Sequence, residues 1–193
     1  MRLSAPRIEP LDMERLDEEQ REVLAPFADP SNKVGGGRVL NIFRTLARAP
    51  KALTGFLAWG NYILSRRNSL PPREREIVIL RTGWLCRSGY EFAQNRRIGI
   101  DCGLTPEEIE RIKAGPDAPG WTPLESAMLR AADELVADNF VSDQTWKALE
   151  ELGDKGSMDL VFTVGQYTQV SMLLNSFGVQ LEDGDAADPD LTP

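Results

Sequence analysis

The chain has 193 residues, of which 41% are hydrophobic and 27% are charged, so it can bury a core and is not a disordered chain. Lys and Arg total 22 against 30 Asp and Glu. The resulting net charge of -8 disfavours binding to nucleic acid or to an anionic membrane, because both need a cationic surface. The longest aliphatic run, residues 77–80, is far shorter than the roughly 20 residues that span a bilayer. The first residues lack the apolar stretch of a signal peptide, so we expect a cytoplasmic protein.

The apolar residues recur at helical spacing along nearly the whole chain, and no segment has a strand pattern. A short amphipathic helix is predicted over residues 12–27, before a loop that contains three glycines at 35–37. The long run 73–103 is interrupted by Gly83 and by Ser88-Gly89, and it is predicted to form two helices with a break near residues 87–89, because glycine disfavours a helix interior. Capping boxes at Thr105 and Thr122 begin two more helices. The pattern predicts an all-α protein of about eight helices.

Three parts of the chain are expected from these patterns. Residues 1–37 form an N-terminal helix and loop, and residues 38–182 form the main domain. The acidic segment 183–193 contains proline and few apolar residues, so we expect a disordered tail.

The chain contains no histidine. This excludes Ser-His-Asp and Cys-His catalysis and the histidine-based zinc sites. The two cysteines, Cys86 and Cys102, form no Cys-x-x-Cys pair, and two thiols cannot complete a structural zinc site. We therefore expect no metal and no cofactor, and acid–base chemistry must use Glu, Asp, Lys, Tyr or Cys.

Two neighbouring motifs, Leu70–Arg81 (LPPREREIVILR) and Ser88–Asn95 (SGYEFAQN), resemble those of the carboxymuconolactone decarboxylase family. That family shares its all-α fold with the alkylhydroperoxidase AhpD. The segment from Asn41 and the C-terminal helix around Gln166 are also similar, so the resemblance covers residues 38–182. It implies an AhpD-like helical bundle and a homo-oligomer, a trimer or a multiple of three.

The resemblance also implies positions for the site. In the peroxidase branch, a glutamate is followed by cysteines at +12 and +15 and by a histidine at +19. Counted from Glu76, these positions hold Ser88, Glu91 and Asn95, so both redox cysteines are missing. The decarboxylase-like branch commonly has glutamate at +15 and histidine at +19. The chain resembles this second branch, with Asn95 in place of the usual histidine.

These residues suggest acid–base chemistry with two carboxyl groups. Glu91 and Asn95 are one helical turn apart and share a face, and the resemblance implies that Glu76 points into the same cavity. Two carboxyl groups in an apolar pocket separate in pKa, so that one keeps its proton while the other acts as a base. Asn95 can donate a hydrogen bond to an oxyanion but cannot transfer a proton. We predict Glu76, Glu91 and Asn95 as the catalytic residues.

Two further residues are predicted to bind the substrate. Arg81 lies among apolar residues, where it either pairs with Glu76 or anchors a substrate carboxylate. Tyr90 lies beside Glu91 in sequence and is either a core residue or an aromatic platform for the substrate.

Three functions are compatible with the sequence. The first is a cofactor-free lyase, decarboxylase or isomerase of a small carboxylic acid or lactone, of the kind met in aromatic-compound catabolism. The second is an antioxidant of the AhpD peroxidase type, which the missing cysteines disfavour. The third is a family member that binds a ligand without catalysis. The expected partners are a small-molecule substrate and further copies of the chain.

Overall fold

The computed structural model describes residues 1–31 and 37–192, and within these ranges all regular structure is helical. The described part contains nine α-helices, against about eight predicted, and two short 3₁₀ helices at Glu150–Leu152 and Pro189–Leu191. The α-helices are α1 (Glu18–Ala28), α2 (Asn41–Leu46), α3 (Pro50–Leu64), α4 (Pro72–Leu85), α5 (Gly89–Asp101), α6 (Pro106–Ala114), α7 (Pro123–Asp138), α8 (Asp143–Ala148) and α9 (Gly153–Phe177). The all-α prediction is confirmed. Two of the three loop glycines, Gly35 and Gly36, lie outside the described residues.

Helix α4 is the central element of the bundle. Its residues 75–83 are all buried, and it packs against α5, α6, α7 and α9. Residues 77–80 are enclosed on every side of the helix, which explains why this run is aliphatic without interruption. Val78 joins the core shared with α7 and α9, whereas Ile77 and Leu80 join the core shared with α5 and α6.

Helix α5 follows α4 after a tight turn. The turn contains Arg87, whose φ of 52° is left-handed, and the predicted break near residues 87–89 is confirmed. The short connection makes α4 and α5 an antiparallel pair. None of the described helices combines the length and the apolar character that crossing a bilayer requires.

The C-terminal segment packs against the bundle, in contrast to the expected disorder. Glu182 is buried and accepts hydrogen bonds from the Tyr90 hydroxyl and from the Asn41 backbone N–H, both at 2.7 Å. Asp188 pairs with Lys113 at 2.6 Å, and Leu191 lies in the core. The acidic composition indicated disorder because it does not reveal that Asp188, like Glu182 just before the segment, has a partner on the bundle.

Candidate active site

Two glycines hold α4 and α5 close together at the candidate site. A Cβ atom built on Gly83 of α4 would lie 2.8 Å from Glu91 Oε1, and one built on Gly99 of α5 would lie 3.9 Å from Glu76 Cβ. Glu91, Asn95 and Gly99 are spaced by four residues on one face of α5, so this face lies against α4. Asn95 therefore lies on the same face of α5, one turn after Glu91 and one turn before Gly99, which is near Glu76.

Glu91 is fully enclosed at this contact. The Ser171 hydroxyl of α9 donates a hydrogen bond of 2.8 Å to Glu91 Oε2, whereas Glu91 Oε1 has no hydrogen-bond partner among the described residues. Burial raises the pKa of Glu91 well above its usual value, and the charge of Glu76 raises it further. The Ser171 hydrogen bond acts in the opposite direction. The carboxyl group therefore holds its proton more tightly than an exposed glutamate does.

Glu76 lies in the same interior, with 1% of its surface exposed. Its Oε2 atom also lacks a hydrogen bond within the described part of the chain. Burial raises the pKa of Glu76 to about 8, although the neighbouring Arg75 cation opposes the shift. Glu76 is therefore mostly protonated at neutral pH, and the structure brings it close enough to Glu91 for their charges to interact.

Asn95 is buried on the same face of α5, with its amide turned toward its own helix. Its Nδ2 atom donates a hydrogen bond of 3.0 Å to the backbone carbonyl of Glu91. This bond uses one of the two Nδ2 hydrogens and fixes the orientation of the amide.

The structure does not bring Arg81 to the carboxyl pair. Arg81 is five residues beyond Glu76, which turns it about 140° around α4. Its guanidinium forms a two-point ion pair with Asp133 of α7, with Nε to Oδ1 at 2.6 Å and Nη2 to Oδ2 at 2.9 Å. Its Nη1 atom donates to the carbonyls of Ile112 and Lys113. The predicted pairing with Glu76 is wrong, and Arg81 links α4 to α6 and α7 rather than anchoring a substrate.

Tyr90 is a core residue, which is the first of the two alternatives that its position left open. It is 4% exposed, packs with Val170 and Leu174, and donates its hydroxyl hydrogen to Glu182. Adjacent helical residues point about 100° apart, so Tyr90 faces the C-terminal segment while Glu91 faces α4. The predicted role of Tyr90 as a substrate platform is not supported by this placement.

Four buried polar residues that were not predicted as site residues lie on α4 and α9, the helices that carry Glu76 and hold Glu91. The pKa of Tyr167 is raised by burial, and the charges of Glu76 and Glu91 both add to the shift, so its phenol lies near the two groups. Buried Gln166 and Arg75 each have a polar atom without a partner among the described residues, Oε1 and Nε respectively. Ser171, which holds Glu91, is the fourth. Three of the four, Gln166, Tyr167 and Ser171, are polar residues on the buried face of α9. Their position in a largely apolar helix is the sequence signal that could have identified them.

The two cysteines are free thiols outside the redox positions. Burial is the largest cause that raises the pKa of each thiol, and the charge of Glu91 adds to the shift at Cys86. Both groups therefore carry less reactive thiolate than an exposed cysteine does.

Two concave regions of the described chain lie away from the carboxyl pair. The larger one, of about 250 Å³, is lined by α5 residues, including Phe92 and Arg96, and by the C-terminal segment. The smaller one, of about 10 Å³, lies beside Leu3 and Tyr90. Glu76 and Glu91 line neither region, and both are enclosed by the surrounding protein, with 1% and 2% of their surface exposed.

Residues 50–134 match the carboxymuconolactone decarboxylase family, a range that contains Glu76, Glu91 and Asn95. No curated protein sequence matches the chain. An uncharacterized peroxidase-related protein from Silicibacter sp. TM1040 superimposes with a TM-score of 0.78 and 16% identity, over 94% of this chain and 95% of that one.

Two further solved structures have the same fold. One is described as an alkylhydroperoxidase AhpD core, an uncharacterized peroxidase-related protein from Ralstonia eutropha JMP134. It has a TM-score of 0.69 and 20% identity, over 92% of this chain and 93% of that one. The other is a variant of the debrominase Bmp8 in complex with 2,3,4-tribromopyrrole. It has a TM-score of 0.70 and 11% identity, over 93% of this chain and 94% of that one. Residues 50–134 therefore form a carboxymuconolactone decarboxylase family domain, and the chain has the AhpD-like helical fold.

Proposed function

We propose that the protein is a cofactor-free lyase, decarboxylase or isomerase of a small carboxylic acid or lactone, with Glu76 and Glu91 as its acid–base pair. One observation carries the proposal: each buried carboxyl group has an oxygen atom with no partner in the described chain. Buried polar atoms are nearly always hydrogen-bonded, so two unpartnered oxygens on interacting carboxyl groups favour a ligand-binding role. Carboxyl groups with raised pKa values are also typical of catalytic acids.

The paired carboxyl groups suit reactions that pass through an enolate. In a decarboxylation, the bond to CO₂ breaks and its electron pair moves onto a neighbouring carbonyl oxygen. A neutral Glu76 then gives its proton to the carbon, and solvent restores that proton. In an isomerisation, a carboxylate removes a proton from one carbon and returns it to another. Asn95 would donate a hydrogen bond to the enolate oxygen in both cases.

Two neighbouring residues support an acid–base role for the carboxyl pair. Ser171 fixes Glu91 by a hydrogen bond, so the carboxyl group keeps one orientation. Tyr167 stays protonated because its pKa is raised, and it can donate a hydrogen bond to developing negative charge. Because the carboxyl groups are enclosed, entry of the substrate requires the covering side chains to move.

Ligand binding without catalysis is the second candidate, and Asn95 is the observation that favours it, because an amide cannot replace a histidine in proton transfer. A thiol peroxidase of the AhpD type is disfavoured, since Ser88 and Glu91 occupy the two redox positions. The debrominase with the same fold shows that one such protein binds a small halogenated aromatic ring.

The first experiment measures turnover on a panel of unsaturated lactone acids and 3-oxo acids in D₂O. Release of CO₂ and incorporation of deuterium at carbon are followed by NMR. We expect Glu91→Gln to lower the rate roughly 10²–10⁴-fold, the usual contribution of general acid–base catalysis. Glu150→Gln, at an exposed site, is the matched control and keeps the wild-type rate. Equal rates in wild type and Glu91→Gln, or no turnover on the panel, would favour ligand binding.

The protein is further proposed to act in the cytoplasm as a homo-oligomer, a trimer or a multiple of three. The support for the oligomer comes from α3. This helix contains a single charged residue, Lys51, and buries only two of its fifteen residues. Trp59 and Leu64 of this helix are 40% and 46% exposed. An apolar helix face of this kind is typical of a protein interface.

A further inference from the structure

We infer that Arg75 determines substrate specificity by binding a carboxylate of the substrate, an inference that rests on the proposed function of the adjacent carboxyl pair. Arg75 directly precedes Glu76 on α4 and is 8% exposed. Neither the family match nor the resemblance of the motifs assigns it a role.

Arg75 is a buried cation that the described chain does not neutralise. Its guanidinium forms no ion pair with a carboxylate of residues 1–31 or 37–192. It makes one side-chain hydrogen bond there, from Nη1 to the Ser65 carbonyl at 3.3 Å, while Nε is buried without a partner. A guanidinium has five N–H donors, so most of its capacity is unused.

The other two arginines of α4 form ion pairs that connect α4 to neighbouring helices. Arg81 is paired with Asp133, and Arg73 is paired with Glu108 and Glu125. Both therefore have carboxylate partners on a neighbouring helix. Arg75 is about as buried as the paired Arg81, at 8% against 7% exposed, and burial of an uncompensated charge is strongly unfavourable.

Glu76 does not serve as the missing anion. Burial raises its pKa to about 8, so the carboxyl group beside Arg75 is mostly neutral at pH 7. The adjacent neutral acid also removes a repulsion that an incoming anion would otherwise meet. The interior therefore combines an unpaired cation with an acid that can donate a proton, which suits a carboxylate ligand better than a neutral one.

Arg75 also lies within electrostatic reach of the rest of the site. Its charge acts on both Glu76 and Tyr167, and Tyr167 in turn interacts with Glu76 and Glu91. A carboxylate held by Arg75 would thus place the neighbouring carbon beside the proposed acid. A two-point guanidinium contact would fix the orientation of that carbon, which a single ammonium group cannot do as well.

Binding of simple probes tests this inference without knowledge of the natural substrate. Crotonate and benzoate are titrated by NMR at pH 6.5, against crotonamide and benzamide as neutral analogues. We expect the wild-type protein to bind a carboxylate roughly tenfold more tightly than its amide, and Arg75→Gln to lose this preference. The control, Arg66→Gln, changes a nearby exposed arginine and keeps the preference. The same preference in Arg75→Gln, or no preference in the wild type, overturns the inference.

A stability measurement separates this role from a structural one. If Arg75 serves a ligand, Arg75→Gln removes an uncompensated buried charge, and its urea midpoint is expected to equal or exceed that of the wild type. Arg81→Gln breaks a two-point ion pair and is expected to lower the midpoint clearly. An equal loss in both variants would overturn the inference.

The two proposals can fail separately. Turnover that depends on Glu91, with a carboxylate preference that does not depend on Arg75, would retain the acid–base function and reject the role of Arg75. Loss of carboxylate binding in Arg75→Gln without turnover by the wild type would retain the role of Arg75 and reject catalysis on the substrates tested.

Discussion

The carboxyl group of Glu91 occupies the space that a side chain at Gly83 would fill. A Cβ atom at Gly83 would lie 2.8 Å from Glu91 Oε1, closer than real Cβ contacts allow. The glycine therefore lets α5 place an acid directly against the backbone of α4, and the site depends on the absence of a side chain on the neighbouring helix.

Gly83→Ala is predicted to impair the site without unfolding the protein. The new methyl group displaces the Glu91 carboxyl, and a misplacement of about 1 Å can cost roughly 10²-fold in rate. Alanine also favours a helix over glycine by about 1 kcal/mol, which offsets part of the lost contact. Turnover and urea unfolding are measured together. The control is Gly55→Ala in α3, where a Cβ meets no atom within 4 Å. Normal turnover in Gly83→Ala would show that the position of Glu91 is unimportant.

Stability is predicted to fall as the pH rises, because of Glu76. Its carboxyl group titrates near 4.5 in the unfolded chain and near about 8 in the folded protein. Between these values the folded protein binds more protons, so its free energy of unfolding decreases with pH. This difference in pKa corresponds to about 5 kcal/mol of folding stability. The contribution is fully present below pH 4.5 and is lost as the pH rises through 8.

Glu76→Gln removes this titration and is predicted to flatten the dependence of stability on pH. Urea unfolding at several pH values between 5 and 9 measures the slope. The variant does not become independent of pH, because the pKa of Glu91 is raised in the same direction. Exposed Glu150→Gln should keep the wild-type slope. Parallel curves for wild type and Glu76→Gln would contradict the raised pKa.

Replacing both cysteines is predicted to leave activity within a few-fold of the wild type. Cys86 and Cys102 lie outside the redox positions, and burial raises the pKa of each thiol. The turnover of the double serine variant is compared with that of the wild type. The free thiols of the wild-type protein are also titrated after peroxide treatment. Rapid formation of a disulfide with consumption of peroxide would revive the peroxidase hypothesis.

The exposed face of α3 is predicted to form the interface of a homo-oligomer. Trp59 stacks on Tyr62 and meets Phe162 of α9 edge-on, so it extends an apolar surface across both helices. Light scattering is expected to give three or six times the chain mass of 21.5 kDa for the wild type. Trp59→Glu should give a smaller mass. A monomer at micromolar concentration in the wild type would reject the oligomer.

Local signals made much of the fold predictable. The capping boxes at Thr105 and Thr122 are present in the structure, with each hydroxyl accepting from the backbone N–H three residues on. Such contacts lie within one helical turn, so the sequence displays both partners. The closeness of Glu76 and Glu91 was available only through the family resemblance, because helical spacing does not say which helices pack together.

Partners that are distant in sequence could not be predicted. Arg81 and Asp133 are separated by 52 residues, and nothing local distinguishes this pair from other charges. Arg75 is harder still to recognise, because it is notable only for having no carboxylate partner among the described residues of the folded chain. Arg75 and Arg81 are the same residue type and are buried to the same extent, and only the ion pair of Arg81 with Asp133 separates them.

The measurement closest to the central claim is an infrared titration of the protonated carboxyl groups. The carbonyl stretch of a protonated acid is compared between wild type and Glu76→Gln from pH 5 to pH 10. We predict a band at neutral pH that is absent from the variant and that disappears with a midpoint of about 8. Absence of a Glu76 band at neutral pH, with titration near 4.5, would contradict the account of a buried acid–base pair.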